Sequence, residues 1–428
     1  MLDLKYVAAH ADAVAQNCVN RNMPVDVAAL VAVYRERNLR LTELETTRAE
    51  ANLSAKSMQG KMEPDERQRR IEHGRALKVQ VAELEKEVAA LDAQLDEAVR
   101  TLPNLTHPEV PLGHTDDDHR ERSRWGTPRV FEFPPLDHVD LCQKLDLCDF
   151  DAGARVAGQK FYFLKNELVL LDLALQRFTL ELLIGKGFTP VATPDLARPD
   201  ILEGIGFNPR GAESQVYSIV GHDLCLVGTA EITIGGMLAG RLLEPEELPI
   251  RIAGISHCFR TEAGAAGRES RGLYRVHQFT KVEMFIFCEG DTAVSDGHHA
   301  ELLAIEEAIF QALEIPYRVV DICAGDLGAP AYRKFDIEAW MPGRGDGGIF
   351  GEVTSSSNCT DFQARRLNIR AHSEGGGRTR FVHTLNGTAV AVSRALIAVL
   401  ENHQQADGSV TVPAALRPYV SFDRIGPR

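Results

Sequence analysis

From Leu77 the apolar residues fall at Leu77, Val81, Leu84, Val88, Leu91 and Leu95. These alternating steps of four and three are the seam of a left-handed coiled coil. Such a seam demands a partner helix, because a single apolar stripe cannot be buried alone. The partner lies upstream, where Leu30, Tyr34, Leu41, Leu44, Ala51, Ala55 and Met58 follow the same repeat, weakened by Arg37 and Arg48 on the seam and Asn38 beside it. Between the two runs, Gln59-Gly60-Lys61-Met62-Glu63-Pro64-Asp65 contains the Gly and Pro that end a helix and reverse the chain. The pattern therefore predicts an antiparallel helical hairpin over residues 1–104. With about thirty residues per arm it would reach roughly 45 Å, at ~1.5 Å per residue. By pattern alone it is a projecting lever, a packed core hairpin or a dimerisation coil.

Beyond Leu102 the periodicity stops. Residues 103–135 carry Pro, Asp, His and Arg without apolar spacing and read as a linker, so 105–150 forms a connector to a second domain over 151–428. There Gln159–Leu164 reads as a strand, followed by a helix with Leu168, Leu171, Leu175, Phe178 and Leu182 on one face and a strand from Phe188 to Thr193. Further strands are expected at 223–227, 250–258, 278–287, 317–322 and 335–340, with helices at 294–312 and 389–401. Runs of strands with few crossover helices predict an α+β body, mainly an antiparallel sheet flanked by helices.

Gly343-Arg-Gly345-Asp-Gly-Gly348 fits G-x-G-x-x-G in letters only. A strand-like run, Ile349 to Thr354, follows where a dinucleotide site needs a helix, so the segment reads as a hairpin turn. No G-x-x-x-x-G-K-[ST] loop occurs, which excludes a P-loop nucleotide site. The eight cysteines are scattered without a C-x-x-C pair, the pattern of reduced cytosolic thiols. No apolar run approaches the roughly 18 residues of a membrane span and no charged-then-apolar leader is seen, so the expected location is cytoplasmic, with no membrane partner.

Charge argues at first against a polyanionic partner: 47 Lys plus Arg against 61 Asp plus Glu leave −14. Any such partner must meet a local patch, and one segment supplies it. A strand ends in Phe259-Arg260-Thr261-Glu262, a loop with Gly264, Gly267, Arg268, Arg271, Gly272 and Arg275 follows, and a second strand returns from His277 to Phe287. Arg260 can offer a planar donor fork to a phosphate, and Glu262, two residues on, shares its face of the strand. Alone, Arg-x-Glu on a strand is most often a surface ion pair. Three more arginines among glycines in an acidic protein make it an anion site.

This hairpin resembles motif 2 of the class II aminoacyl-tRNA synthetases, and its full wording closely resembles that of seryl-tRNA synthetases. Four further segments resemble that family in the expected order. They are Gly187–Pro194 (motif 1, dimer-forming), Gly228-Thr229-Ala230-Glu231 (the serine loop), Gly351–Cys359 (the metal and phosphate strand) and Asn386–Arg394 (motif 3). The likeness runs from Leu2 to about Arg417, with two departures: Ser356 where the family commonly has Cys, and Ser393 where it has a small residue or Pro.

The resemblance implies serine–tRNA ligase activity. Serine and ATP would give seryl-adenylate, and serine would pass to the 3′ end of tRNA(Ser), with tRNA(Sec) as a candidate second acceptor. It assigns Arg260 to the α-phosphate and Arg394 to the γ-phosphate end as catalytic cations. The remaining ATP contacts fall to Thr261, Glu262, Phe279 against adenine, Glu352, Val353, Thr354 and Ser355. Glu352 and Ser355 would hold Mg²⁺, a hard cation that prefers oxygen. Thr229, Ala230, Glu231, Glu283, Asn386 and Thr388 would bind serine. A carboxylate such as Glu283, set among Val282, Met284, Phe285 and Phe287, is costly unless it meets a cation. No Cys/His set near the motifs has zinc-ligand spacing, so exclusion of threonine rests on its extra methyl, worth about 1–3 kcal/mol.

The same resemblance makes the helical arm the tRNA-binding element and the protein a homodimer, one subunit's arm serving the other's active site. Between Arg35 and Glu87 basic and acidic side chains nearly balance, so the negative charge sits on the rest of the chain. The alternatives are a diverged paralogue, either an antibiotic-resistant duplicate or an adenylate-forming enzyme with another acceptor, and a catalytically dead homologue. Carrier-type relatives lack the arm, and a dead homologue is expected to have lost one of Arg260, Glu283, Glu352 and Arg394, all of which are present.

Overall fold

The computed structural model describes residues 1–58, 62–207, 215–263, 272–373 and 375–427. The chain divides into two compact units, Met1–Leu105 and Thr106–Arg428. Among the described residues no helix is long and apolar enough to cross a membrane.

The first unit is built on two long helices, α1 (Val27–Ser57) and α2 (Pro64–Arg100). Asp26 caps the start of α1 by accepting from Ala29 N at 2.9 Å, and Pro64 opens α2, where a missing N–H costs nothing. Their cross-helix ion pairs run in opposite order along the two chains: Arg37–Asp92 at 2.7 Å, Arg40–Glu87 at 3.2 Å and Arg48–Glu85 at 2.7 Å. The helices are therefore antiparallel. Leu44, Leu84 and Val88 are buried between them with Leu41 and Val81 against them. Arg37 and Arg48, which spoil the seam in sequence, reach sideways to acids on α2. At the other end Val27, Leu30, Val31, Val99 and Leu102 pack with two short helices, Leu4–Ala9 and Ala11–Asn20. Of the reversing segment, residues 59–61 lie outside the described residues.

The second unit is the expected α+β body. Its main sheet has eight strands: β1 (Arg120–Trp125), β2 (Thr189–Ala192), β3 (Ile250–Phe259), β4 (Gln278–Cys288), β5 (Tyr317–Asp321), β6 (Arg333–Met341), β7 (Ile349–Asn358) and β8 (His383–Ala391). They lie in the order β1-β5-β6-β7-β8-β4-β3-β2, antiparallel throughout except for the edge pair β2–β3. β8, the last of these strands in the chain, occupies the middle of the sheet.

The two faces are covered differently. On β4, Val282, Met284 and Ile286 join the core formed with α3 (Glu167–Gly185), α5 (Thr292–Ala312) and α6 (Val392–Asn402). The alternate residues Phe285 and Phe287 meet α4 (Ala230–Met237) on the opposite face, which Glu283 shares by the period of two. Gly254 of β3 lets α4 lie close: a Cβ there would sit 2.5 Å from Ile234 Cδ1 and 3.2 Å from the Ala230 Cβ.

Three expectations change. The stretch read as a linker contains β1, whose charged Arg-Glu-Arg-Ser-Arg-Trp sequence carries no apolar alternation because it is an exposed edge, held by backbone pairing to β5 and by Arg120–Asp321 at 2.5 Å. The strand over 159–164 shrinks to Phe163–Leu164, and that over 223–227 to Cys225–Leu226. The helix placed at 389–401 starts at Val392, because Val390 and Ala391 still pair with Val282 and Lys281. Gly343–Gly348 forms the turn between β6 and β7, with no helix after it.

Candidate active site

On the α4 face, β3, β4, β7, β8 and the start of α6 wall a cavity of about 240 Å³. Residues from seven separate stretches of the chain meet in it, and its two ends differ in charge.

The cationic end is built from strand termini. Arg260 follows β3; its Nε donates to Gly228 O at 3.2 Å, and its guanidinium lies 5.4 Å from the Phe279 ring centroid. Glu262 takes a left-handed backbone (φ 50°) and faces Arg275 at 3.5 Å. From the first turn of α6, Arg394 reaches Glu352 Oε1 at 3.0 Å and donates to Glu352 O at 3.1 Å. Arg394 and Arg344 both stack on Tyr274, at 4.6 and 3.9 Å from its centroid, and the Tyr274 hydroxyl donates to Glu352 O at 3.2 Å. Burial pushes the Tyr274 hydroxyl up to about 12, so it stays a donor. Burial would also raise the Glu352 carboxyl, but Arg394, Lys334 and Arg260 outweigh it and hold the group at about 2. Beside these cations Glu352 is a carboxylate, and Ser355 along the same strand also lines the cavity.

The other end is acidic and closed. Thr229 caps α4, its Oγ1 accepting from Glu231 N at 3.2 Å. That cap aims Glu231 inward, where its Oε1 accepts from Gln363 Nε2 at 2.7 Å and from Asn386 Nδ2 at 2.9 Å. Burial, then the neighbouring Glu283 charge, raises Glu231 to about 7. Glu283 pairs with the buried Lys281, whose Nζ also donates to Thr388 Oγ1 at 3.3 Å; Thr388 Oγ1 lies 3.4 Å from Glu283 Oε2. The end therefore holds two carboxylates against one ammonium, leaving a deficit that suits an incoming amine.

Of the residues singled out from sequence, Thr229, Glu231, Arg260, Glu262, Phe279, Glu283, Glu352, Val353, Thr354, Ser355, Asn386, Thr388 and Arg394 line this one cavity. Thr261 and Ala230 do not. Thr261 N donates to Gln215 O at 3.1 Å, and the Ala230 methyl is buried in the core under α4. Arg275 faces Glu262, while Arg268 and Arg271 lie outside the described residues. Lys281, Lys334 and Tyr274 also line the cavity and were missed. Lys281-x-Glu283 on one strand face, inside an apolar run, was the available signal for the first: a buried acid needs a cation, and the period of two points to it.

The family model described as the seryl-tRNA synthetase N-terminal domain matches residues 1–106, and that of the tRNA synthetase class II core domain (G, H, P, S and T) matches residues 216–403. Serine–tRNA ligases from Treponema denticola and Rubrobacter xylanophilus are each 55% identical over 426 and 427 residues, covering 100% of this chain and 100% and 99% of theirs. The crystal structure of seryl-tRNA synthetase from Pyrococcus horikoshii complexed with ATP superposes with a TM-score of 0.94 at 41% identity, over 100% of both chains. That of a cytoplasmic serine–tRNA ligase from Naegleria fowleri in complex with AMP gives 0.90 at 30%, over 100% of this chain and 99% of that one. Fold, cavity and full-length likeness agree, and the chain belongs to the seryl-tRNA synthetase family of class II aminoacyl-tRNA synthetases.

Proposed function

We infer that this chain is an ATP-dependent serine–tRNA ligase, working at the cavity between β3, β4, β7 and β8. One observation carries the reading: a cationic end (Arg260, Arg394) and an amine-accepting end (Glu231, Glu283) share one small cavity, as joining an amino acid to ATP requires. The alternative of a paralogue with another acceptor finds no support in the relatives, which are serine–tRNA ligases along their whole length.

In the first step the serine carboxylate oxygen bonds to the α-phosphorus and the bond to pyrophosphate breaks. Two anions approach each other, so fixed positive charge where charge develops is the chief requirement. Arg260 serves the α-phosphate and Arg394 the γ-phosphate end, with adenine against Phe279. Arg394 and Glu352 hold each other in the free protein, so ATP must take Arg394 out of that pair. Glu352 and Ser355 offer only oxygen donors, one of them a carboxylate, which fits Mg²⁺; they would hold that ion, and it would neutralise phosphate charge. Glu231 and Glu283 hold the serine ammonium, and Thr388 with Glu283 faces its hydroxyl. Alanine would leave those buried partners unpaired, while threonine adds a methyl to a closed end. In the second step a hydroxyl of the terminal tRNA adenosine attacks the seryl carbonyl and AMP leaves.

The α1–α2 hairpin is the tRNA-binding arm, reading backbone and shape, for tRNA(Ser) and, as a candidate, tRNA(Sec). Dimerisation is supported by an apolar surface beside edge strand β2. Leu170, Leu173 and Ile184 of α3 are 44–55% exposed, and a second cavity of about 310 Å³, lined by Val191, Pro194, Ile201 and Met237 among others, lies by β2. The eight free thiols suit a reducing compartment, the cytoplasm.

The test is ATP–pyrophosphate exchange: it should require both serine and Mg²⁺ and be abolished by Arg260→Ala. Exchange supported by threonine and not by serine would overturn the assignment.

A further inference from the structure

At the cationic end of the cavity, Arg394 depends on Tyr274. The tyrosine ring carries Arg394 at 4.6 Å and Arg344 at 3.9 Å, and its hydroxyl donates to Glu352 O at 3.2 Å. Arg344 comes from the Gly343–Gly348 turn and runs back over β7, where a Cβ on Gly351 would meet its Nη1 at 2.7 Å. Tyr274 and Arg344 belong to different segments of the chain. Both are tied to one buried acid that the reaction itself does not use.

That acid is Glu401. It lies on α6 seven residues after Arg394, close to two helical turns, so the two residues share a face. Its carboxylate is wholly buried and accepts three N–H bonds: from His138 N and His138 Nδ1 at 3.0 Å each, and from Gly343 N at 2.9 Å. The His138 ring is buried in turn, and its Nε2 accepts from Leu273 N at 3.1 Å. A backbone N–H can only donate, so Nε2 is bare and the ring proton sits on Nδ1, facing Glu401. The packing has no slack. A Cβ on Gly272 would lie 2.0 Å from His138 Nε2, and one on Gly343 would lie 2.5 Å from the Asp137 Cα. Glu401 thus fixes the residue before Arg344 directly and, through His138, the residue before Tyr274.

We infer that Glu401 and His138 are positioning residues for the ATP end of the cavity, acting on Arg394 through Tyr274 and Arg344. The inference rests on the assignment of Arg394 to ATP phosphate. An apolar pair of equal volume would fill the same space and stabilise the core as well. Only directional bonds hold two separate backbone segments in register with one helix. α6 therefore presents Arg394 to the cavity and, two turns on, clamps the two side chains against which Arg394 rests. His138, in the connector before the catalytic motifs, enters the site by this route without touching the cavity.

The test is calorimetric titration of the full-length protein, with MgATP and with serine separately. Binding of MgATP needs no serine, so this measurement stands apart from the exchange assay that tests the ligase reading. His138→Asn keeps a donor for Glu401 but is too short to accept from Leu273 N. It should weaken MgATP about tenfold or more and leave serine affinity within about twofold. His138→Gln, long enough to accept from Leu273 N, should recover most of the MgATP affinity. Arg344→Leu and Tyr274→Leu, at half-buried positions outside the core, should show the same selective loss. His138→Asn combined with Tyr274→Leu should bind MgATP no more weakly than Tyr274→Leu alone, because His138 acts through that ring; a merely structural loss would multiply. Wild-type MgATP affinity in His138→Asn or in Arg344→Leu, equal losses for MgATP and serine, or multiplied losses in the double variant would overturn the assignment.

Discussion

Glu231 links the chemistry of the pocket to a measurable stability. Its carboxyl is raised from 4.5 to about 7, first by burial and then by Glu283. The folded protein thus holds this proton more tightly than the unfolded chain does. The stabilisation belonging to the protonated group is fully present below pH 4.5 and is lost as pH rises through about 7. At ~1.4 kcal/mol for each tenfold change, the gap between 4.5 and about 7 is worth about 3 kcal/mol. Glu231→Gln keeps an oxygen for the Gln363 and Asn386 amides and cannot ionise. Urea unfolding at pH 5 and pH 8 should therefore show the wild type losing about 2.5 kcal/mol more than the variant, because pH 5 already lies above the unfolded value of 4.5. An ammonium placed beside Glu231 favours its charged form, so serine binding near pH 7 should also release up to about half a proton. Calorimetric titrations in two buffers of different ionisation heat read this directly. Equal pH slopes in the two proteins, together with no proton release, would refute the reasoning.

Lys281→Met strips the buried Glu283 of its cation and should lower stability by about 3–5 kcal/mol, whereas Lys281→Met combined with Glu283→Met should recover most of it without restoring exchange. Unfolding of the single variant at the wild-type urea midpoint would show that Lys281 does not hold Glu283. Deleting Leu39–Val88 should leave serine-dependent exchange intact and abolish tRNA charging; equal charging by the shortened protein would remove the hairpin from tRNA binding. Leu170→Asp with Leu173→Asp should yield monomers in sedimentation if α3 lies in a dimer interface.

What could be read from sequence followed from how locally each feature is encoded. The seam of α2 is written in Leu77, Leu84, Val88 and Leu95, all buried as the repeat requires. The Gly228–Glu231 loop, the Arg260 hairpin, the strand from Gly351 and the segment Asn386–Arg394 each carried enough local wording to single out residues, and thirteen of those line one cavity. β1 was invisible because an edge strand with both faces wet needs no apolar alternation. Lys281 was legible but overlooked: inside an apolar strand, the acid it neutralises, Glu283, stands two residues on along the same face.

The place of β8 in the sheet sets a clock on synthesis. β4 is complete at Cys288, but one of its edges stays bare until His383–Ala391 is made, as does one edge of β7. At ~5–20 residues per second, the 95 residues between Cys288 and His383 take roughly 5 to 20 s to translate. Through that interval the β3–β4 half keeps an open edge, and from Asn358 onward the β5–β6–β7 half adds a second, the state most prone to pairing with a neighbour. Asn386, Thr388 and Arg394 come off the ribosome with the strand that joins them, so activity arrives in one step, and late. A stop anywhere before His383 leaves no partial enzyme, only an aggregation hazard.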